Sequence, residues 1–229
     1  MEKRTALLGN YDTASHGWTL TGVALSNPEQ KTQYVEKSGG DGSWDLSTVL
    51  TDGIPRYKDR NLTITLECSE GTRDEREEII QEMVNTLDGL TWNIVLPDRP
   101  EHYLVGRLHV VVNYNDLAHA MVTVTSIVEP WFYKARETIV VLEEPITVST
   151  DAATFYLWNH GRKVVTPRLD VNGTASLSFN GNKINLTTGT YTWPALQLVP
   201  GENVLMYTGS STSNPGETLT LTYREAVLR

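Results

Sequence analysis

The stretch that decides the fold runs from Arg60 to Leu90: RNLTITLECSEGTRDEREEIIQEMVNTLDGL. It opens with strict alternation. Leu62, Ile64, Leu66 and Cys68 fall on one face, and Thr63, Thr65 and Glu67 on the other, which predicts a half-buried strand. The period then changes. Thr72 and Glu75 fit a capping box, in which hydroxyl and carboxylate each take up an orphan backbone N–H. Asp74 and Glu75 suit the positive end of the helix dipole. Ile79, Ile80, Met83, Val84 and Leu87 recur at helical spacing, giving one apolar stripe. Gly89 follows as the stop.

Outward from this strand–helix pair the sequence reads as strands. Residues 17–24 and about 31–36 form two of them. The glycine-rich turn Ser38-Gly39-Gly40-Asp41-Gly42-Ser43 comes next, with several positions free to take positive φ. No helix start or P-loop lysine follows it, so it reads as a hairpin loop and not as a phosphate cradle. Downstream, Leu90–Leu96 is a strand ended by Pro97. Tyr103–Val128 is a long strand pair turning at Asn113-Tyr114-Asn115-Asp116, which would set His109 opposite His119. Pro130-Trp131-Phe132-Tyr133 closes the region. From about Glu137 short β-branched runs recur: Thr138–Leu142, Ile146–Ser149, Phe155–Trp158, Lys163–Val171, Ala175–Phe179, Lys183–Leu186, Thr190–Trp193, Gly201–Tyr207 and Thr218–Tyr223. Asn172-Gly173 and Asn180-Gly181 are hairpin signals between them. This pattern predicts an antiparallel sandwich. The expected fold is mainly β with a single helix, in two domains, 1–136 and 137–229.

Composition narrows the function. A net charge of -9 argues against nucleic acid as a partner, and much of the acid lies on the solvated face of the helix. Cys68 is the single cysteine, so no intrachain disulfide can form, and its place in the alternation makes it an apolar core filler. No apolar run is long enough for a membrane span or a signal peptide. The expectation is a soluble product made in the cytoplasm, for which the sequons at Asn61, Asn172 and Asn185 carry no weight.

Catalytic motifs are missing. There is no Gly-x-Ser-x-Gly elbow, no His-Glu-x-x-His and no paired Cys-x-x-Cys. The five histidines (His16, His102, His109, His119, His160) do not assemble a three-ligand zinc set by spacing. No catalytic, metal or cofactor residue is assigned, and the chain is read as no enzyme. A sugar site has more substance: Tyr156, Trp158, Tyr191, Trp193 and Tyr207 accompany Asn180 and Asn182, with Trp158 and Trp193 as the candidate glycan contacts. The competing reading places these aromatics in a sandwich core.

Taken in order, Gly40-Asp41-Gly42, Asp45-Leu46-Ser47, Tyr57, Asp59-Arg60, the alternating strand, the acidic helix, Leu90-Thr91-Trp92, Tyr103-Leu104-Val105-Gly106-Arg107 and Ile127-Val128-Glu129-Pro130-Trp131-Phe132-Tyr133 resemble the distal tail proteins of siphophages, often called Dit. Tyr223-Arg224-Glu225 resembles that family's last strand. The resemblance implies a virion tail component with Gly40, Asp41, Gly42, Arg60, Gly106, Arg107, Pro130 and Trp131 as signature positions of structural kind. It implies an N-terminal ring-forming β-sandwich with one helix and a C-terminal galectin-like sandwich. The ring would be a homo-hexamer. Its implied partners are the tail tube protein, the tail-tip hub protein and receptor-binding proteins, with no cofactor. The alternatives are a carbohydrate-binding module acting in host attachment and a cell-wall glycan hydrolase. Ring contacts are expected on edge strands and on the hairpin near residues 109–119.

Overall fold

The computed structural model describes residues 5–51, 53–113, 119–143, 153–209 and 218–229. The chain divides into two compact units, Met1–Pro130 and Trp131–Arg229. This boundary precedes the one expected at 136/137.

The first unit contains β1 (Leu7–Leu8), β2 (Tyr11–Asp12), β3 (Thr19–Leu25), β4 (Tyr34–Glu36), β5 (Ser43–Asp45), β6 (Arg60–Cys68), α1 (Arg73–Leu87), β7 (Thr91–Val95), β8 (His102–Asn113) and β9 (Ala120–Val128). Its main sheet runs β2-β1-β7-β8-β9-β6-β3. Alternation fixes which side faces in. Leu62, Ile64, Leu66 and Cys68 on β6 are buried, as are Leu104, Leu108 and Val110 on β8 and Val122, Val124 and Val128 on β9. The helix packs against β8 and β9 with Ile80, Met83 and Leu87 buried.

Both ends of α1 are built as the residues demand. The Thr72 hydroxyl accepts the Glu75 N–H at 3.3 Å, and the Glu75 carboxylate accepts the Thr72 N–H at 2.6 Å. The Thr72 N–H, and the Thr72 hydroxyl that donates to the same carboxylate at 3.0 Å, hold the Glu75 carboxyl below its ordinary range. At the other end Asp88 accepts the Val110 N–H at 2.8 Å and lies 2.9 Å from His109 Nδ1. Gly89 sits at φ 72°, where a side chain would be strained.

The second unit contains β10 (Phe132–Lys134), β11 (Thr138–Glu143), β12 (Ala153–Asn159), β13 (Arg168–Phe179), β14 (Asn182–Thr192), β15 (Gly201–Gly209), β16 (Thr218–Tyr223) and β17 (Ala226–Val227). The six-stranded sheet runs β11-β16-β13-β15-β12, with β14 paired to β13; β10 pairs with β17 outside that sheet. The fold is mainly β, its antiparallel sheets curled and β-sandwich-like. Asn180 and Gly181 both have positive φ (47° and 79°), the geometry a two-residue hairpin of the mirror-image type I turn requires. Asn172-Gly173 does not turn the chain. It marks a register shift inside one long strand between Val171 and Thr174, so Lys163–Val171 and Ala175–Phe179 are not two separate strands. The expected strand at Ile146–Ser149 and the turn at Tyr114-Asn115-Asp116 lie outside the described residues. No helix among the described residues is long and apolar enough to cross a membrane.

The second unit is closed by its own last residues. Glu225 is 1% exposed. Its carboxylate accepts the Lys134 ammonium and the His160 N–H at 2.9 Å, and it lies 3.0 Å from His160 Nδ1. Burial opposes ionisation here and is the largest single influence, but the Lys134 and His160 bonds together outweigh it, so the carboxyl titrates below its ordinary range. Arg224 reaches the carbonyls of Lys134 (2.7 Å) and Ala135 (2.6 Å). The chain's last strand is thereby bonded to the unit's first one.

Candidate assembly surface

Between β3 and β6 the chain leaves the first unit's sheet and forms an arm. Its base is held by the Lys31 N–H on the Arg56 carbonyl and the Lys58 N–H on the Glu29 carbonyl, both at 2.8 Å. A bridge at Gln30 and Tyr57 continues it, and the β4–β5 hairpin forms the end. Every residue from Glu29 to Leu46 is exposed. Gly40, Asp41 and Gly42 form the tip, where the Lys37 N–H meets the Gly42 carbonyl at 3.2 Å and Gly39 and Gly42 have φ of 74° and 78°.

The arm is not polar. Val35 pairs directly with Trp44, so both stand on one face, and Leu46 joins them two residues on. Tyr34 stands on the other face. Val49 and Leu50 follow in a single 3-10 turn. Trp44 is 61% exposed, Tyr34 62% and Leu50 94%. Large apolar side chains left exposed together mark an interaction surface. The glycine turn is legible in the sequence; these residues are not. Their alternation is too short to register as an amphipathic strand, and a hydrophobic residue in sequence carries no sign of being left uncovered.

The remaining signature positions serve packing in scattered places. Arg60 is buried and its Nε donates to the Ser26 carbonyl at 2.7 Å, anchoring the base of the arm. A Cβ on Gly106 would lie 2.4 Å from Ser126 Oγ and 2.6 Å from Val128 Cγ1, so β8 and β9 approach where only glycine fits. Arg107 is exposed and donates to the Gly89 carbonyl, fastening the end of α1 to β8. Pro130 is buried at the end of the first unit and Trp131, half-buried, begins the second. These positions do not converge on one site.

The histidines fall apart in the same way. Asn113 pairs with Met121 and His109 with Thr125, so His109 and His119 are not opposite each other. His109 meets Asp88, while His119 lies 3.1 Å from Glu67 and His16 3.6 Å from Glu82. No group of three or more His, Cys, Asp or Glu among the described residues is placed to hold a metal ion. Of the candidate glycan contacts, Trp193 is 8% exposed in the second unit's core. Trp158 is 50% exposed, with its ring stacked toward His160 (centroids 6.3 Å apart, planes 27°). Tyr207 is buried in the same core as Trp193.

No protein-family model and no curated protein sequence matches the chain. Solved structures do. The Dit protein (gp 19.1) of phage SPP1, described as a paradigm of the hub adsorption apparatus in phages that infect Gram-positive bacteria, superposes with a TM-score of 0.68 at 16% identity. The match covers 98% of this chain and 99% of the SPP1 protein. The chain has the fold of a phage distal tail protein. A chain of the phage p2 baseplate, in its activated conformation with Sr, covers the same 98% and 99% at a TM-score of 0.45 and 8% identity, too remote to argue from. The distal-tail fold therefore extends over both units and is not confined to the strand–helix pair from which the sequence reading began.

Proposed function

We propose that the chain is a structural component of a phage or prophage tail tip, a distal tail protein whose copies form a ring joining the tail tube to the tail-tip hub and the host-recognition apparatus. The observation that carries this is the likeness to the SPP1 distal tail protein over 98% of the chain. The first unit is the ring-forming domain and the second a galectin-like sandwich. The ring is a homo-hexamer in the virion tail, in contact with the tail tube protein, the tail-tip hub protein and receptor-binding proteins. The work is geometric: a head-to-tail contact repeated around an axis closes when the rotation divides the circle. No chemical step is asked of the chain. The carbohydrate reading is not taken up, because one of its two aromatics is in the core and the other turns its ring toward a neighbouring side chain.

Electron microscopy of the purified full chain tests this reading. Closed rings with a central opening, which cap purified tail tubes at one end, are the expected result. Single particles without rings at every concentration, together with bare tubes, would overturn it.

A further inference from the structure

The arm and the sheet it springs from present an unmatched pair of surfaces. One is the apolar end of the β4–β5 hairpin with the Val49–Leu50 turn. The other is a cleft of about 640 Å³ on the outer face of β6, β8 and β9, lined by Asn61, Thr63, Arg107, His109, Thr125 and Ile127. Ile127 is 67% exposed at its centre, standing between Asn61 on β6 and Arg107 on β8 in the sheet register. The volume lies within the range of roughly 300–1,000 Å³ typical of ligand pockets.

The arm has no reason of its own to be apolar. Fixing a backbone costs about 1–2 kcal/mol per residue. In the arm this is offset by a few backbone hydrogen bonds and by Lys37, whose ammonium lies 5.0 Å from the Trp44 ring centroid. No described side chain between Ser26 and Asp59 is buried. The arm is bonded in place with its apolar side chains uncovered, and none of the described residues of its own chain supplies the cover. Covering two aromatic and four aliphatic side chains removes on the order of 600 Å² from water. That is most of the roughly 800 Å² each partner contributes to a standard interface.

We infer that the arm from Glu29 to Lys58 seats on a second copy of this chain, with Trp44 entering the cleft over that copy's Ile127. This rests on the ring reading and names its contact. A second copy is the partner that brings both halves at once. Each copy gives an arm and receives one, which is the heterologous contact a ring needs.

Two variants of the full chain test the contact. W44D leaves an exposed residue exposed, so circular dichroism and, at concentrations where both are single copies, melting temperature should match the wild type. Its assembly, followed by light scattering across a concentration series, should weaken at least about a hundredfold, as loss of a tryptophan anchor does. L50D should weaken it too. For the cleft, W44C and I127C variants are mixed under oxidising conditions. Cys68 is buried and does not compete. A covalent dimer in the mixture, and little in either variant alone, supports the pairing. If the wild type assembles and W44D and L50D assemble as well, the arm is not the contact and the ring reading stands. If W44D is monomeric but no cross-link forms, the cleft is the wrong receiver. If the wild type itself never assembles, the arm contact and the ring both fall.

Discussion

The arm and β6 adjoin in sequence and differ in almost every physical respect. From Glu29 to Leu46 every side chain is exposed. From Leu62 to Cys68 every second side chain is buried, and Ile64 and Leu66 are wholly inaccessible. β6 is bonded on both sides, to β3 and to β9, whereas β4 and β5 pair with each other alone. Hydrophobic residues do two kinds of work here. In β6 they hold one copy together. In the arm they stand uncovered at the surface.

This contrast can be broken by substitution. The largest effect belongs to the core: L66A should destabilise the first unit by about 2–5 kcal/mol in urea unfolding, while leaving whatever folded material remains able to assemble. Next are two changes that test the packing away from the arm. G106A forces β8 off β9 and should cost about 1–3 kcal/mol. E225Q removes the buried carboxylate that joins both ends of the second unit and should cost about 2 kcal/mol at neutral pH. The sign of its pH dependence follows from the depressed titration of Glu225. The increment is complete above the ordinary glutamate range and is lost as pH falls through the lower folded value. Wild type and E225Q should therefore differ in unfolding free energy at pH 7 and converge in acid. A gap that stays constant with pH would show that the charge is not what matters.

Smaller is T72A, which deletes the hydroxyl half of the capping box and should cost about 1 kcal/mol. The smallest is W44A. Despite removing the largest side-chain type, it should change the stability of the isolated copy by less than about 0.5 kcal/mol. A W44A loss comparable to that of L66A would mean that the arm is part of the core, and the comparison would fail.

Much of the fold could be read from the sequence, because local chemistry dictated it. Thr72, Glu75 and Gly89 set the ends of the helix, and the alternation from Leu62 to Cys68 set the inward face of β6. Asn180-Gly181 marked a hairpin by its backbone geometry. Asn172-Gly173 carried the same local signal and became a register shift, since the strands flanking it continue their pairing with β14 on both sides. Pairing is a property of the sheet, and a dipeptide does not report it. The pairing of Phe132–Lys134 with Ala226–Val227 is illegible for a similar reason, since its two strands lie far apart in sequence. The arm's apolar face was the least legible feature. Trp44 looks like a core residue until the structure shows that no core reaches it.

The most direct test of the ring is the mass of the intact full-length chain under native conditions. One dominant species at six times the mass of a single copy, dissociating into single copies on activation, is what a closed ring of this protein predicts. A spectrum that contains one copy alone at every concentration tried would contradict it.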